Sequence, residues 1–115
     1  MKKLVMILFA AVSLSAFAAD TTVKGYLVDL SCAKEEGQKA GFGAKHTKGC
    51  LQMDDCEKSG YGVLTDDKKV IRFDKAGNEE AKKFIAALTK KSDIKVAVDG
   101  AVNGESMTVT KITLQ

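Results

Sequence analysis

All 3 cysteines and the single histidine of the chain fall between Cys32 and Cys56. Cys32, His46, Cys50 and Cys56 together make a Cys3His set, one of the donor combinations of tetrahedral zinc sites. His46 and Cys50 stand four residues apart, so a helical turn would aim both side chains the same way. Met53 lies midway between Cys50 and Cys56 and adds a thioether. Soft sulfur donors suit copper(I) as well as zinc, and the residue types leave the two ions open. Asp29, three residues before Cys32, either caps the loop or orients His46 by a carboxylate–imidazole contact.

The same residues support two other chemistries. Three cysteines in an oxidising compartment form one disulfide and leave one thiol. The pairings are Cys32–Cys56, Cys32–Cys50 and Cys50–Cys56. The first is favoured because it pins both ends of the segment, closing a loop of about 25 residues for roughly 3 kcal/mol of stabilisation. A thiol left beside His46, with Lys45 and Lys48 near in sequence, would ionise more easily and react. Cys-x-x-Cys is absent, which argues against the familiar exported redox motif and against haem attachment. No Ser-His-Asp arrangement, phosphate loop, nucleotide fingerprint or calcium loop occurs, and Asp54-Asp55 and Asp66-Asp67 read as solvated turn acids. No catalytic residue can be named. The favoured reading is a non-enzymatic binding or accessory module with a disulfide-stapled loop; a cysteine/histidine metal protein and a thiol-redox factor are the alternatives.

Residues 1–18 read as a cleaved export signal. Lys2 and Lys3 form the charged start, Leu4 to Leu14 the apolar core, and Ala16-Phe17-Ala18 the small-residue cleavage site. The apolar run is short of a membrane span. The expected address is the periplasm or the exterior, a compartment that permits disulfides. The chain carries 18 basic and 15 acidic side chains, and loss of Lys2 and Lys3 leaves these nearly balanced. Its lysines are interleaved with acids, so neither a nucleic-acid partner nor a membrane partner after cleavage is expected. A small ligand, a metal or another exported protein remains as the partner class.

Residues 19–115 suffice for one small domain. Val23–Leu30 reads as a strand, and Gly25 within it as a bulge or a point of sharp coiling. Residues 31–59 follow as a long insertion without clean periodicity, with Gly37, Gly41, Gly43 and Gly49 and with short helical turns near 33–39 and 45–51. Gly60–Thr65 and Val70–Phe73 flank a polar hairpin loop. Asp74–Gly77 reads as a turn, with Asn78 capping a helix that starts at Glu79-Glu80 and carries Lys90 and Lys91 in its last turn. Ala81, Phe84, Ile85 and Leu88 form its apolar stripe. Ile94–Asp99 and Met107–Leu114 alternate with period two, joined through Gly100 and the hairpin signal Asn103-Gly104.

Strand, insertion, strand, strand, helix, strand, strand is the element order of the OB-fold, a five-stranded barrel with its helix between strands 3 and 4. The run Val96-x-Val98-x-Gly100 through Gly104-x-x-Met107-x-Val109-x-x-Ile112 resembles the closing hairpin of small exported bacterial OB-fold proteins. The pattern Asp29-x-x-Cys32, His46-x-x-x-Cys50, Cys56, Gly60-Tyr61-Gly62 resembles a group of small secreted bacterial proteins. The resemblance implies a barrel and an exported address, and it implies no reaction.

Overall fold

The computed structural model describes residues 20–115; the expected export signal, residues 1–18, lies outside them. Five strands form the frame: β1 (Asp20–Asp29), β2 (Tyr61–Leu64), β3 (Val70–Phe73), β4 (Lys95–Asn103) and β5 (Ser106–Leu114). They close into a barrel in the order β1-β2-β3-β5-β4. Every pairing is antiparallel except β3 with β5, which run parallel through Arg72 with Ser106 and Phe73 with Met107. The OB-like barrel expected from element order is therefore present, with α5 (Lys75–Ala87) between β3 and β4.

β1 serves two neighbours. Its first part pairs with β4 from Asp20–Ala101 to Tyr26–Lys95, and its last part pairs with β2 from Tyr26–Leu64 to Asp29–Tyr61. Gly25 stands at this changeover, where a Cβ would overlap the Leu64 carbonyl. The register between β4 and β5 shifts at Asp99/Gly100: Asp99 faces Lys111 and Gly100 faces Val109. The extra residue is Thr110 on β5, so the bulge lies in the strand opposite Gly100.

Alternation along the strands builds two apolar clusters. Leu27, Val63, Phe73, Val96, Val98, Met107 and Val109 fill the barrel with Ala81 and Ile85 of α5 and with Leu88 just after it. Val28 and Leu64 face outward instead, where Ala33 and Phe42 of the insertion cover them.

The helix begins earlier and stops sooner than its sequence suggested. Asp74 is the cap, its side chain accepting from the Gly77 N–H, so Asp74–Gly77 is the entry to the helix and not a free turn. Asn78 instead accepts from the Tyr61 N–H, 2.9 Å away, tying α5 to β2. Leu88 leaves the helix in extended geometry and is buried. Lys90 and Lys91 therefore follow the helix instead of ending it. Phe84 packs only partly buried at the edge of the core, whereas Ile85 is fully buried. Phe84→Ala is accordingly expected to cost about 1–2 kcal/mol in urea denaturation, below the ~3–5 kcal/mol of a fully buried aromatic. A cost at that higher level would mean Phe84 is a full member of the core.

The insertion is ordered into four short helices: α1 (Leu30–Glu36), α2 (Phe42–Lys45), α3 (Lys48–Leu51) and α4 (Asp54–Ser59). Among the described residues, no helix is long and apolar enough to cross a membrane.

Candidate thiol–carboxylate site

The site lies where β1 gives way to α1. Asp29 ends the strand in extended geometry, and its Oδ2 accepts from the Cys32 N–H at 2.9 Å, capping α1. That cap fixes Cys32 on the first turn. The Leu30 N–H donates to the Gly60 carbonyl at 2.9 Å, bringing the end of α4 against the start of α1. Ser59 strengthens the junction: its hydroxyl donates to the Cys56 carbonyl at 2.6 Å and accepts from the Ser31 N–H at 3.1 Å. Asp54, Asp55 and Glu57 occupy the first turn of α4, where the helix dipole favours acids. Lys82 of α5 meets Glu57 at 3.0 Å and ties α4 to the barrel side.

These fastenings leave the Cys32 and Cys56 sulfurs 3.9 Å apart. That is well beyond the ~2.05 Å of a disulfide, and all three cysteines are thiols here. The expected Cys32–Cys56 staple is thus a contact between two thiols in this structure. One Asp29 oxygen joins them, the three donor atoms lying within 4.8 Å of one another.

His46 stands on the other side of Asp29. It closes α2, donating its N–H to the Phe42 carbonyl at 2.9 Å, with its ring 4.8 Å from that of Phe42. Its Nε2 lies 2.6 Å from Asp29 Oδ1, and both side chains are almost wholly buried. Asp29 would be raised by its burial, but hydrogen bonds from His46, the Cys32 N–H and the Cys56 thiol outweigh that and hold its carboxyl at about 2. An ionised carboxylate only accepts, so Nε2 carries the proton and donates it.

The sulfurs respond in the opposite sense. Burial first, and the Asp29 charge second, push the Cys32 thiol up to about 12. Burial, followed by contact with Asp29, also raises Cys56. Both are protonated thiols at neutral pH. Native alkylation of the reduced protein at pH 8 should therefore be at least about 100-fold slower at Cys32 than in denaturant, and slower at Cys56 as well, because the thiolate is the reacting form. Equal native and denatured rates, read by mass spectrometry, would contradict the arrangement.

The residues singled out by type are thus divided among different positions. Cys32 and Cys56 meet. His46 reaches the group through Asp29, fulfilling the orienting role the sequence suggested for that acid, which also caps the helix. Cys50 is part-exposed on α3, its N–H capped by Thr47 Oγ1 at 3.1 Å. Met53 is 58% exposed at the start of α4. Asp29 is the donor that sequence reasoning did not count as a ligand. Its signal was the Asp-x-x-Cys spacing, which makes one carboxylate both cap and neighbour of the thiol.

Fold and site together define a small closed β-barrel carrying a dithiol–carboxylate group at the end of β1, with Asp29 and Cys56 buried and Cys32 part-exposed. No protein-family model, curated protein or solved structure matches the chain.

Proposed function

We propose that this is an exported, non-enzymatic binding protein whose ligand is a thiophilic d10 metal ion, zinc or copper(I), held by Cys32, Cys56 and Asp29. One observation carries the reading: the 3.9 Å separation of the two sulfurs. Two sulfurs bound to one tetrahedral zinc at about 2.3 Å are about 3.8 Å apart, so the thiols already stand at the spacing a shared ion requires. His46 and Asp29, at 2.6 Å, are closer than two ligands on one tetrahedron, which are about 3.3 Å apart for zinc–nitrogen and zinc–oxygen bonds. His46 therefore holds the carboxylate in orientation and the ion is taken by the other three groups. Burial, and after it the Asp29 carboxylate, keep protons on both sulfurs; a cation would neutralise that carboxylate, and binding would displace those protons.

Export follows from the pattern of residues 1–18, and the address is periplasmic or extracellular. The test is titration of the reduced protein with zinc or copper(I) against a competing chelator, read by native mass spectrometry. One ion per chain is expected. Cys32→Ser and Cys56→Ser should each weaken it by about 100-fold or more, and Asp29→Asn by about 10-fold. Failure to retain any ion, or equal retention by a Cys32→Ser/Cys56→Ser double variant, would overturn the reading.

A further inference from the structure

We infer that Cys32 and Cys56 are also a redox pair: an external disulfide converts them to a Cys32–Cys56 bond, and the bonded form cannot hold the metal. The second half rests on the metal-binding reading; the first half stands without it.

The geometry supplies the argument. The two sulfurs are in contact at 3.9 Å although their residues are far apart in sequence. They are kept there by neighbours and not by chance packing of loops. Ser59 bridges the Ser31 N–H and the Cys56 carbonyl, and the Leu30 N–H reaches the Gly60 carbonyl. Each cysteine therefore sits on a helix anchored beside the other, with the sulfurs within about 2 Å of bond length. Holding two reacting groups at contact in this way makes the second step of exchange intramolecular. The bond would also close the whole helical insertion into a covalent loop, which restricts the unfolded chain.

The two steps balance. Cys32 is part-exposed and Cys56 is buried, so a disulfide R–S–S–R meets Cys32 first. The Cys32 thiolate attacks one sulfur, R–S⁻ leaves and takes up the proton that Cys32 lost, and a mixed disulfide forms. The Cys56 thiolate then attacks the Cys32 sulfur. The second R–S⁻ leaves and is protonated in turn. The protein loses two electrons and two protons, and R–S–S–R becomes two R–SH. Bonded sulfurs about 2.05 Å apart cannot span the edge of a metal tetrahedron, and neither retains a thiolate to donate. Oxidation and metal loading are thus mutually exclusive, and the ion protects the thiols it occupies.

Glutathione disulfide is the probe. Reduced wild-type protein and Cys50→Ser are incubated with it, with and without one equivalent of zinc, then quenched, alkylated and mapped by peptide mass. The expected product in both proteins is a Cys32–Cys56 crosslink, two hydrogens lighter and free of glutathione. Zinc should slow its formation at least about tenfold. The isolated oxidised protein should take up no zinc until reduced. A glutathione adduct that persists on Cys32, or a wild-type crosslink through Cys50, would overturn the redox pair even if zinc binds. Oxidised protein that binds zinc as tightly as reduced protein would overturn the exclusion. Clean crosslinking in a reduced protein that never binds zinc would remove the metal reading and leave the redox pair intact.

Discussion

Asp29→Ala is expected to destabilise the metal-free protein by about 3–5 kcal/mol, because it strips a buried polar network of its centre. Asp29 caps α1 through the Cys32 N–H and accepts from His46. Alanine loses the cap, worth about 1 kcal/mol, and strands the buried imidazole without its acceptor. The pH dependence gives a second, independent reading. The carboxyl is held at about 2 in the fold against an ordinary 3.8, so ionisation favours the native state. That contribution is complete above about pH 4 and is lost as the pH falls toward 2. It amounts to something on the order of 2 kcal/mol. Urea denaturation of wild type and Asp29→Asn at pH 7, 4 and 2.5 isolates it: the gap between the two should narrow across the lower interval. A gap that stays constant would mean Asp29 is not ionised in the way its hydrogen bonds require.

Gly25→Ala and Gly100→Ala should each cost at least about 3 kcal/mol, and for a reason unrelated to the site. At Gly25 the added Cβ would overlap the Leu64 carbonyl, and at Gly100 it would overlap that of Thr108. Both obstacles are backbone within the sheet, so they cannot swing away as a side chain could. The first lies where β1 changes neighbours and the second opposite the bulge in β5. Gly49 is the control. It is exposed in α3, and a Cβ there meets only Thr47 Oγ1 at an ordinary 3.8 Å. Gly49→Ala should be neutral or stabilising by a few tenths of a kcal/mol, as alanine is favoured over glycine in a helix. Equal loss in all three variants would show that strand approach does not govern Gly25 and Gly100.

Local chemistry made the frame legible in the sequence. Period-two alternation marked β4 and β5, and Asn103-Gly104 marked their turn, where Gly104 takes φ 63. The helix was visible through Ala81, Ile85 and Leu88, but its ends were not. Gly77 looked like a turn residue, whereas it lies in the first turn of the helix, at a place where a Cβ would press on Val109. Leu88 continues the apolar stripe in sequence while leaving the helix in space, since burial against the barrel outweighs one more helical turn. The insertion was illegible for a different reason. Helices as short as α2 and α3 have too few residues for a period, and their form comes from what they cover and which groups cap them. The same holds for the site. Residue types identified sulfur chemistry, but that Cys32 meets Cys56 and His46 meets Asp29 depends on α1 and α4 docking at the end of β1.

The two-sided pairing of β1 also bears on how the chain acquires its shape. β2, β3 and the β4–β5 hairpin can each form from residues close together in sequence. β1 cannot: Asp20 pairs with Ala101 and Tyr26 with Lys95, so its longer flank has no partner until most of the chain has emerged. Such distant pairings are slow, because loop-closure entropy is spent before any ladder contact compensates it. Before then β1 presents an open row of backbone donors and acceptors, an invitation to pair with another chain. Among the described strands, the first in the chain is the one whose partner lies farthest along it.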